Sequence, residues 1–163
     1  MEKKLEKIKA LFMDVDGTLT DGHIYMSDNG EMCKAFHSHD GYGIKNILPK
    51  TDVVPVIITG RDSKIVARRA AELGISKIYQ GVDDKAAVMQ QLFEQFNITS
   101  ENAAYIGDDF NDANAMELCG FTACPGDAVE GIKQRVDHVC KANGGRGAVR
   151  EVIDLIAQAK ENR

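Results

Sequence analysis

Asp14 and Asp16 are two carboxylates one residue apart, placed between an apolar run and a glycine, Gly17. Such a pair repels itself unless one acid keeps a proton or a cation sits beside them. A hard divalent ion such as Mg²⁺ meets that need, because it accepts carboxylates, carbonyls, waters and phosphate oxygens together. On its own, Asp-x-Asp-Gly is more often a plain turn in which Asp bonds nearby backbone N–H groups. Two further polar clusters change that weighting. Thr59-Gly60-Arg61 follows the apolar run 53–58, and Asp108-Asp109, with Asp112 just beyond, follows 103–106.

These groups together suit the hydrolysis of a phosphate monoester, a reaction in which positioning and charge neutralisation do most of the work. A carboxylate can attack phosphorus and form an aspartyl-phosphate, which divides one hard step into two. Asp14, first out of its strand, is the candidate nucleophile. Asp16, further out, can protonate the leaving oxygen and later take a proton from water. Asp108 would hold the metal with Asp14 and the backbone carbonyl of Asp16, while Asp109 and Asp112 assist or brace the loop. Thr59 and the N–H of Gly60 can bond phosphoryl oxygens. Lys85 falls in the first turn of a predicted helix, where the helix dipole disfavours a cation, so it either faces solvent or is held for an anion.

The elements that must position these groups can be read from the apolar runs. Residues 8–13 are too continuously apolar for a half-exposed strand and too short for a secure helix, which predicts a parallel strand covered on both faces. Strands follow at 53–58, 78–79, 103–106, 121–123 and 138–140. Helices are predicted at 40–48 (closed by Pro49), at 63–73 (opened by Asp62 or Ser63 and stopped by Gly74), and at 85–96. Shorter ones follow at 113–118 and 127–135, and an amphipathic helix at 148–159 ends the chain. Residues 1–7 are charged and read as a frayed lead-in. Strands alternating with helices specify an α/β, doubly wound parallel sheet, whose ligands bind at the carboxyl ends of the strands. Between residues 20 and 36, Asp28-Asn29-Gly30 turns a projecting β-hairpin. It carries Ile24, Tyr25, Met26 and Phe36, apolar enough to pair with a copy from another subunit.

Composition bounds the rest. The 163 residues show no composition break, which predicts one domain over 1–163, and at 44% hydrophobic and 28% charged residues an ordinary soluble fold. A net charge of −5 offers no long-range attraction to nucleic acid, and no stretch approaches a membrane span. Cys33, Cys119, Cys124 and Cys140 form no Cys-x-x-Cys pair, and no apolar secretory run is present, which leads us to expect a reducing cytoplasm. His37 and His39 share a face, but two metal ligands without a third read as surface or interface residues.

Asp14-Val15-Asp16-Gly17-Thr18, Thr59-Gly60-Arg61, Lys85 and Gly107-Asp108-Asp109-x-x-Asp112 resemble, in order, the four motifs of the haloacid dehalogenase superfamily of phosphatases. Further segments, Asp40-Gly41-Tyr42-Gly43, Tyr79-Gln80-Gly81 and Gly144-Gly145-Arg146-Gly147, are similar to its small sugar-acid members, which act on 3-deoxy-D-manno-octulosonate 8-phosphate or on nonulosonate 9-phosphates. The resemblance implies a Mg²⁺-dependent phosphatase without a cap domain. It also implies a homotetramer in which a neighbouring subunit helps cover the site through its Gly-rich segment. The stretch between Asp16 and Thr59 has room for a hairpin and one helix, which independently excludes a cap. Arg61, and Arg146 from another subunit, are candidates for binding the sugar acid. His39 stands where octulosonate phosphatases commonly carry arginine, and Thr18 where they commonly carry valine, so nonulosonate 9-phosphates stay open as substrates. The other reading is a non-catalytic oligomerising domain of the kind attached to sugar-nucleotide synthases, and the intact set of carboxylates and Lys85 weighs against it.

Overall fold

In the computed structural model, residues 1–161 are described. The sheet strands are β1 (Ala10–Met13), β4 (Val54–Ile58), β5 (Lys77–Tyr79), β6 (Ala103–Ile106), β7 (Phe121–Cys124) and β8 (His138–Val139). A separate antiparallel hairpin is made by β2 (Tyr25–Ser27) and β3 (Gly30–Cys33). The helices are α1 (Glu2–Leu5), α2 (Ser38–Tyr42), α3 (Lys64–Leu73), α4 (Lys85–Phe96), α5 (Ala113–Met116), α6 (Glu130–Lys133) and α7 (Ala148–Glu161).

The sheet order is β5-β4-β1-β6-β7-β8, with all pairs parallel. The chain builds outward from β1 through β4 to β5, then returns to β1's other side for β6. That reversal beside β1 leaves a crevice at the carboxyl ends of the central strands. Alternating side chains feed two cores. Leu11, Met13, Ile57, Ala104 and Ile106 meet Val66 of α3 and Val149, Val152, Ile153 and Ile156 of α7. Phe12, Val56, Ile58 and Tyr105 meet Met89 and Leu92 of α4 on the opposite face. Burial on both faces is why β1 and β6 read as unbroken apolar runs.

Some expectations change. Residues 2–5 form a helical turn instead of fraying, because Leu5 is buried in the first core and Lys4 pairs with Asp137 at 2.5 Å. The helix expected from Asp40 begins at Ser38, and Pro49 does not close it but sits in the first turn of a further helical segment, Leu48–Thr51, where no N–H is required of it. Strand β4 is buried only in its second half, since Val54 is exposed. The helix expected over 127–135 shortens to α6, because Asp127 instead accepts the Gly144 N–H at 2.9 Å.

Candidate active site

The chain leaves β1 in an extended conformation at Asp14 and turns at Gly17, whose φ of +91° lies in the region only glycine adopts freely. Thr20 Oγ1 accepts the N–H groups of Gly17 (3.3 Å) and Gly22 (3.2 Å), which holds the turn closed. From behind, Gly145 N–H bonds Thr18 O at 3.0 Å, and a Cβ on Gly144 would fall 2.0 Å from Gly17 O. The Gly-rich segment therefore braces its own chain's acid loop.

Asp14 is buried at the mouth of β1. Lys85, 3% exposed, places Nζ 2.8 Å from Asp14 Oδ1 and 2.7 Å from Asp112 Oδ1. Of the two alternatives for Lys85, the anion-held one is found, and carboxylates supply the anion. Asp84 caps α4 by accepting the Ala87 N–H at 3.0 Å, so this helix starts where its first side chain reaches inward. Asp112 is fully buried and saturated: Tyr105 Oη donates to Oδ1 at 2.8 Å, and the N–H groups of Asp108 and Asp109 reach Oδ2 at 3.0 and 3.4 Å. It fixes both the lysine and the loop. Asp109 turns to the Phe110 N–H (2.7 Å), capping the next helical turn.

Asp108 faces Asp14, with Thr18 Oγ1 donating to it at 3.4 Å. Oxygens of Asp14, Asp108 and Asp112 lie within 4.8 Å of one another. Burial first, then Asp14, Asp112 and Asp109, push Asp108 up to about 8. Burial and then Asp112 raise Asp14 to about 6, with Lys85 opposing. Lys85 stays protonated because its two carboxylates outweigh its burial. An all-oxygen cradle whose carboxylates are raised by burial and by one another fits a hard divalent cation.

Asp16 departs from this group. Its carboxylate is bonded by Lys34 through Oδ1, and Arg61 Nε lies 3.9 Å from Oδ2. Lys34 has a buried side chain, also reaches Glu31 at 2.9 Å, and Glu31 accepts from Ser63. Hairpin residues thus reach back to the proposed acid of their own chain. Sequence reasoning missed Lys34 and Glu31, because pairs so distant in the chain leave no local periodicity. It also left Asn111 unassigned, although this residue stood inside the last motif.

Asp14, Asp16, Gly60, Arg61, Asp108, Asp109 and Asn111 line one open cleft of about 300 Å³. Thr59 is buried beside Gly60 and is not among the cleft's walls. Arg146 lies elsewhere, 3.9 Å from Asp21 and beside His39 in a different groove. His37 and His39 stack edge to face at 4.8 Å, with His37 Nδ1 accepting the His39 N–H.

A family model described as haloacid dehalogenase-like hydrolase matches residues 62–153. The chain is 47% identical over 157 residues to the 3-deoxy-D-manno-octulosonate 8-phosphate phosphatase KdsC of Escherichia coli, covering 96% of this chain and 83% of that protein. Against KdsC of Haemophilus influenzae it is 44% identical over 160 residues, covering 98% and 88%. The crystal structure of the octulosonate phosphatase from Yersinia pestis superposes with a TM-score of 0.95 at 41% identity, over 98% of this chain and 86% of that one. That of the Moraxella catarrhalis enzyme, in complex with a magnesium ion, a phosphate ion and a KDO molecule, gives 0.94 at 42% identity, over 99% and 92%. The cleft, its four motifs in order and these likenesses lead to one conclusion: the chain belongs to the haloacid dehalogenase-like hydrolases, among their capless phosphatases.

Proposed function

We propose that this protein hydrolyses 3-deoxy-D-manno-octulosonate 8-phosphate to the free sugar acid and phosphate, with residues 1–163 acting as one catalytic unit. The observation that carries the reading is the Lys85–Asp14 pair. Lys85 bonds Oδ1 of Asp14 and would hold the carboxylate, one of the cleft's walls, in place for attack on phosphorus. Mg²⁺ would be held by Asp14, Asp108 and the Asp16 carbonyl, with Asp112 fixing Lys85 and the loop, and when bound it neutralises charge on the phosphoryl oxygens. Gly60 N–H bonds those oxygens from the cleft wall, and Thr59 supports that turn from beneath. Asp16 delivers a proton to the departing sugar oxygen and takes one back from the water that cleaves the aspartyl-phosphate. Its resting partners, Lys34 and Arg61, keep that carboxylate close to the cleft. Arg61 is exposed enough to meet the substrate's carboxylate bidentately.

The named relatives, and the KDO and phosphate held by the Moraxella catarrhalis enzyme, support this substrate. The exposed apolar residues Ile24, Tyr25, Met26 and Met32 on and beside the hairpin support association of four copies, with Arg146 presented to a neighbour's cleft. Among the described residues no helix is long and apolar enough to cross a membrane, and the four free cysteines suit a reducing cytoplasm. The test is a comparison of kcat/KM for octulosonate 8-phosphate, nonulosonate 9-phosphates and hexose phosphates with Mg²⁺. Octulosonate 8-phosphate is expected to lead. A lead for nonulosonate 9-phosphates, in keeping with His39 in place of arginine, would replace the substrate, and a lead for hexose phosphates would end the sugar-acid reading.

A further inference from the structure

The last strand and the last helix bring together a second set of donors of a different chemistry. His138 and Cys140 are two residues apart along an extended segment and so face the same way, toward Glu151 of α7. One nitrogen, one sulfur and one oxygen from these three residues lie within 4.8 Å of one another. His138 Nε2 is 2.9 Å from Glu151 Oε1. Cys140 is buried, its Sγ donating to Ala148 O at 3.7 Å. Glu151 is fixed from its other side: Oε2 accepts the N–H groups of Lys141 (3.0 Å) and Ala142 (3.1 Å), and Oε1 receives a longer contact from Lys141 N at 3.2 Å. Oε1 can therefore turn to a cation while Oε2 keeps its backbone donors, which orient a ligand as outer hydrogen bonds do in metal sites.

We infer that His138, Cys140 and Glu151 form a Zn²⁺ site separate from the acid cleft. Zinc takes imidazole nitrogen, thiolate sulfur and carboxylate oxygen in tetrahedral sites, and the partly exposed sides of His138 and Glu151 leave room for water as the fourth ligand. Mg²⁺ has little use for sulfur or nitrogen, so it does not compete for this second site. On binding, the Cys140 thiol releases its proton to solvent and exchanges its hydrogen bond to Ala148 O for a bond to the metal. The thiolate and the carboxylate together balance the ion's charge.

The ion would tie β8 to α7 across the segment 140–147. From that segment Gly145 N–H bonds Thr18 O and Gly144 seats against Gly17 O. Its role is a staple behind the acid loop, with no contact to substrate.

Co²⁺ is the probe, titrated into the full chain already saturated with Mg²⁺. One equivalent is expected to bind with thiolate-to-cobalt absorption in the near ultraviolet, and Zn²⁺ to displace it and raise Tm. Cys140→Ser should remove the absorption and His138→Ala should weaken binding by at least about tenfold, while Cys33→Ser changes neither. Absence of the absorption, or its survival in Cys140→Ser, overturns the site. If Cys140→Ser does not fold, undiminished Co²⁺ affinity in His138→Ala, read from the thiolate absorption, overturns it equally. Because metal affinity and absorption are read directly, the result stands whether or not the chain hydrolyses a sugar-acid phosphate.

Discussion

Gly17 and Asp108 are locked together: a Cβ on Gly17 would stand 2.1 Å from Asp108 Oδ2, closer than any two such atoms can approach. The glycine that permits the turn after Asp14 also makes room for the facing carboxylate. We predict that Gly17→Ala, which pays about 1–3 kcal/mol for its left-handed φ and must displace Asp108, lowers kcat/KM by at least about a hundredfold and raises the Mg²⁺ concentration for half-activation. Steady-state phosphate release against Mg²⁺ concentration checks this, with circular dichroism confirming the fold. Unchanged Mg²⁺ dependence would show that Asp108 does not hold the ion.

Lys85 separates two buried carboxylates, so removing it does more than delete a charge. In Lys85→Ala, Asp14 and Asp112 are left without their shared cation, and breaking a buried pair of this kind costs about 3–5 kcal/mol. The expected result is a large fall in Tm together with loss of phosphate release. Adding Asp112→Asn should recover part of the Tm and none of the activity. Recovered turnover in the double variant would make Lys85 purely structural.

The raised carboxylates fix the sign of a pH effect. Asp14 and Asp108 stand at about 6 and about 8 in the folded chain, against 3.8 when unexposed to it. Between those limits the folded state binds more protons than the unfolded state, so their contribution to stability falls as pH rises from about 4 to about 8. If these carboxylates hold Mg²⁺, the ion must expel the same protons, and its affinity is expected to rise over pH 6 to 8. Urea unfolding in chelator at pH 5 and pH 8 should show the decline, flattened in Asp108→Asn. An identical slope in that variant would remove Asp108 as its source.

The hairpin makes its own prediction. Tyr25→Asp with Met26→Asp places charge on an exposed apolar surface without altering a residue that lines the cleft. If four copies associate there and share their sites, sedimentation should report a smaller species and activity should fall with it. A fully active monomer would dissociate assembly from catalysis.

Much of this arrangement is legible from sequence because its signals are local. Strands β1 and β6 announce themselves as apolar runs, Ser63, one of two candidates, caps the helix it precedes, and Asp28-Asn29-Gly30 turns the hairpin. The carboxylates at the strand ends follow from that reading, since a parallel sheet brings those ends to one edge. What was hidden depends on partners distant in the chain. Nothing near Lys34 signals that its buried ammonium meets Asp16, and nothing near Asp127 signals that its carboxylate is committed to Gly144 rather than to opening a longer helix. The burial of Lys85 was undecided for the same reason, because the Asp14 and Asp112 that retain it lie on other elements.

The central claim, that Asp14 accepts the phosphoryl group, is tested most directly by trapping. Borohydride added during turnover reduces an aspartyl-phosphate to homoserine, and peptide mass spectrometry locates the altered residue. Homoserine at position 14 alone, absent without substrate, is the predicted result. Modification at Asp16 or Asp108 during undiminished turnover, with Asp14 intact, would contradict it.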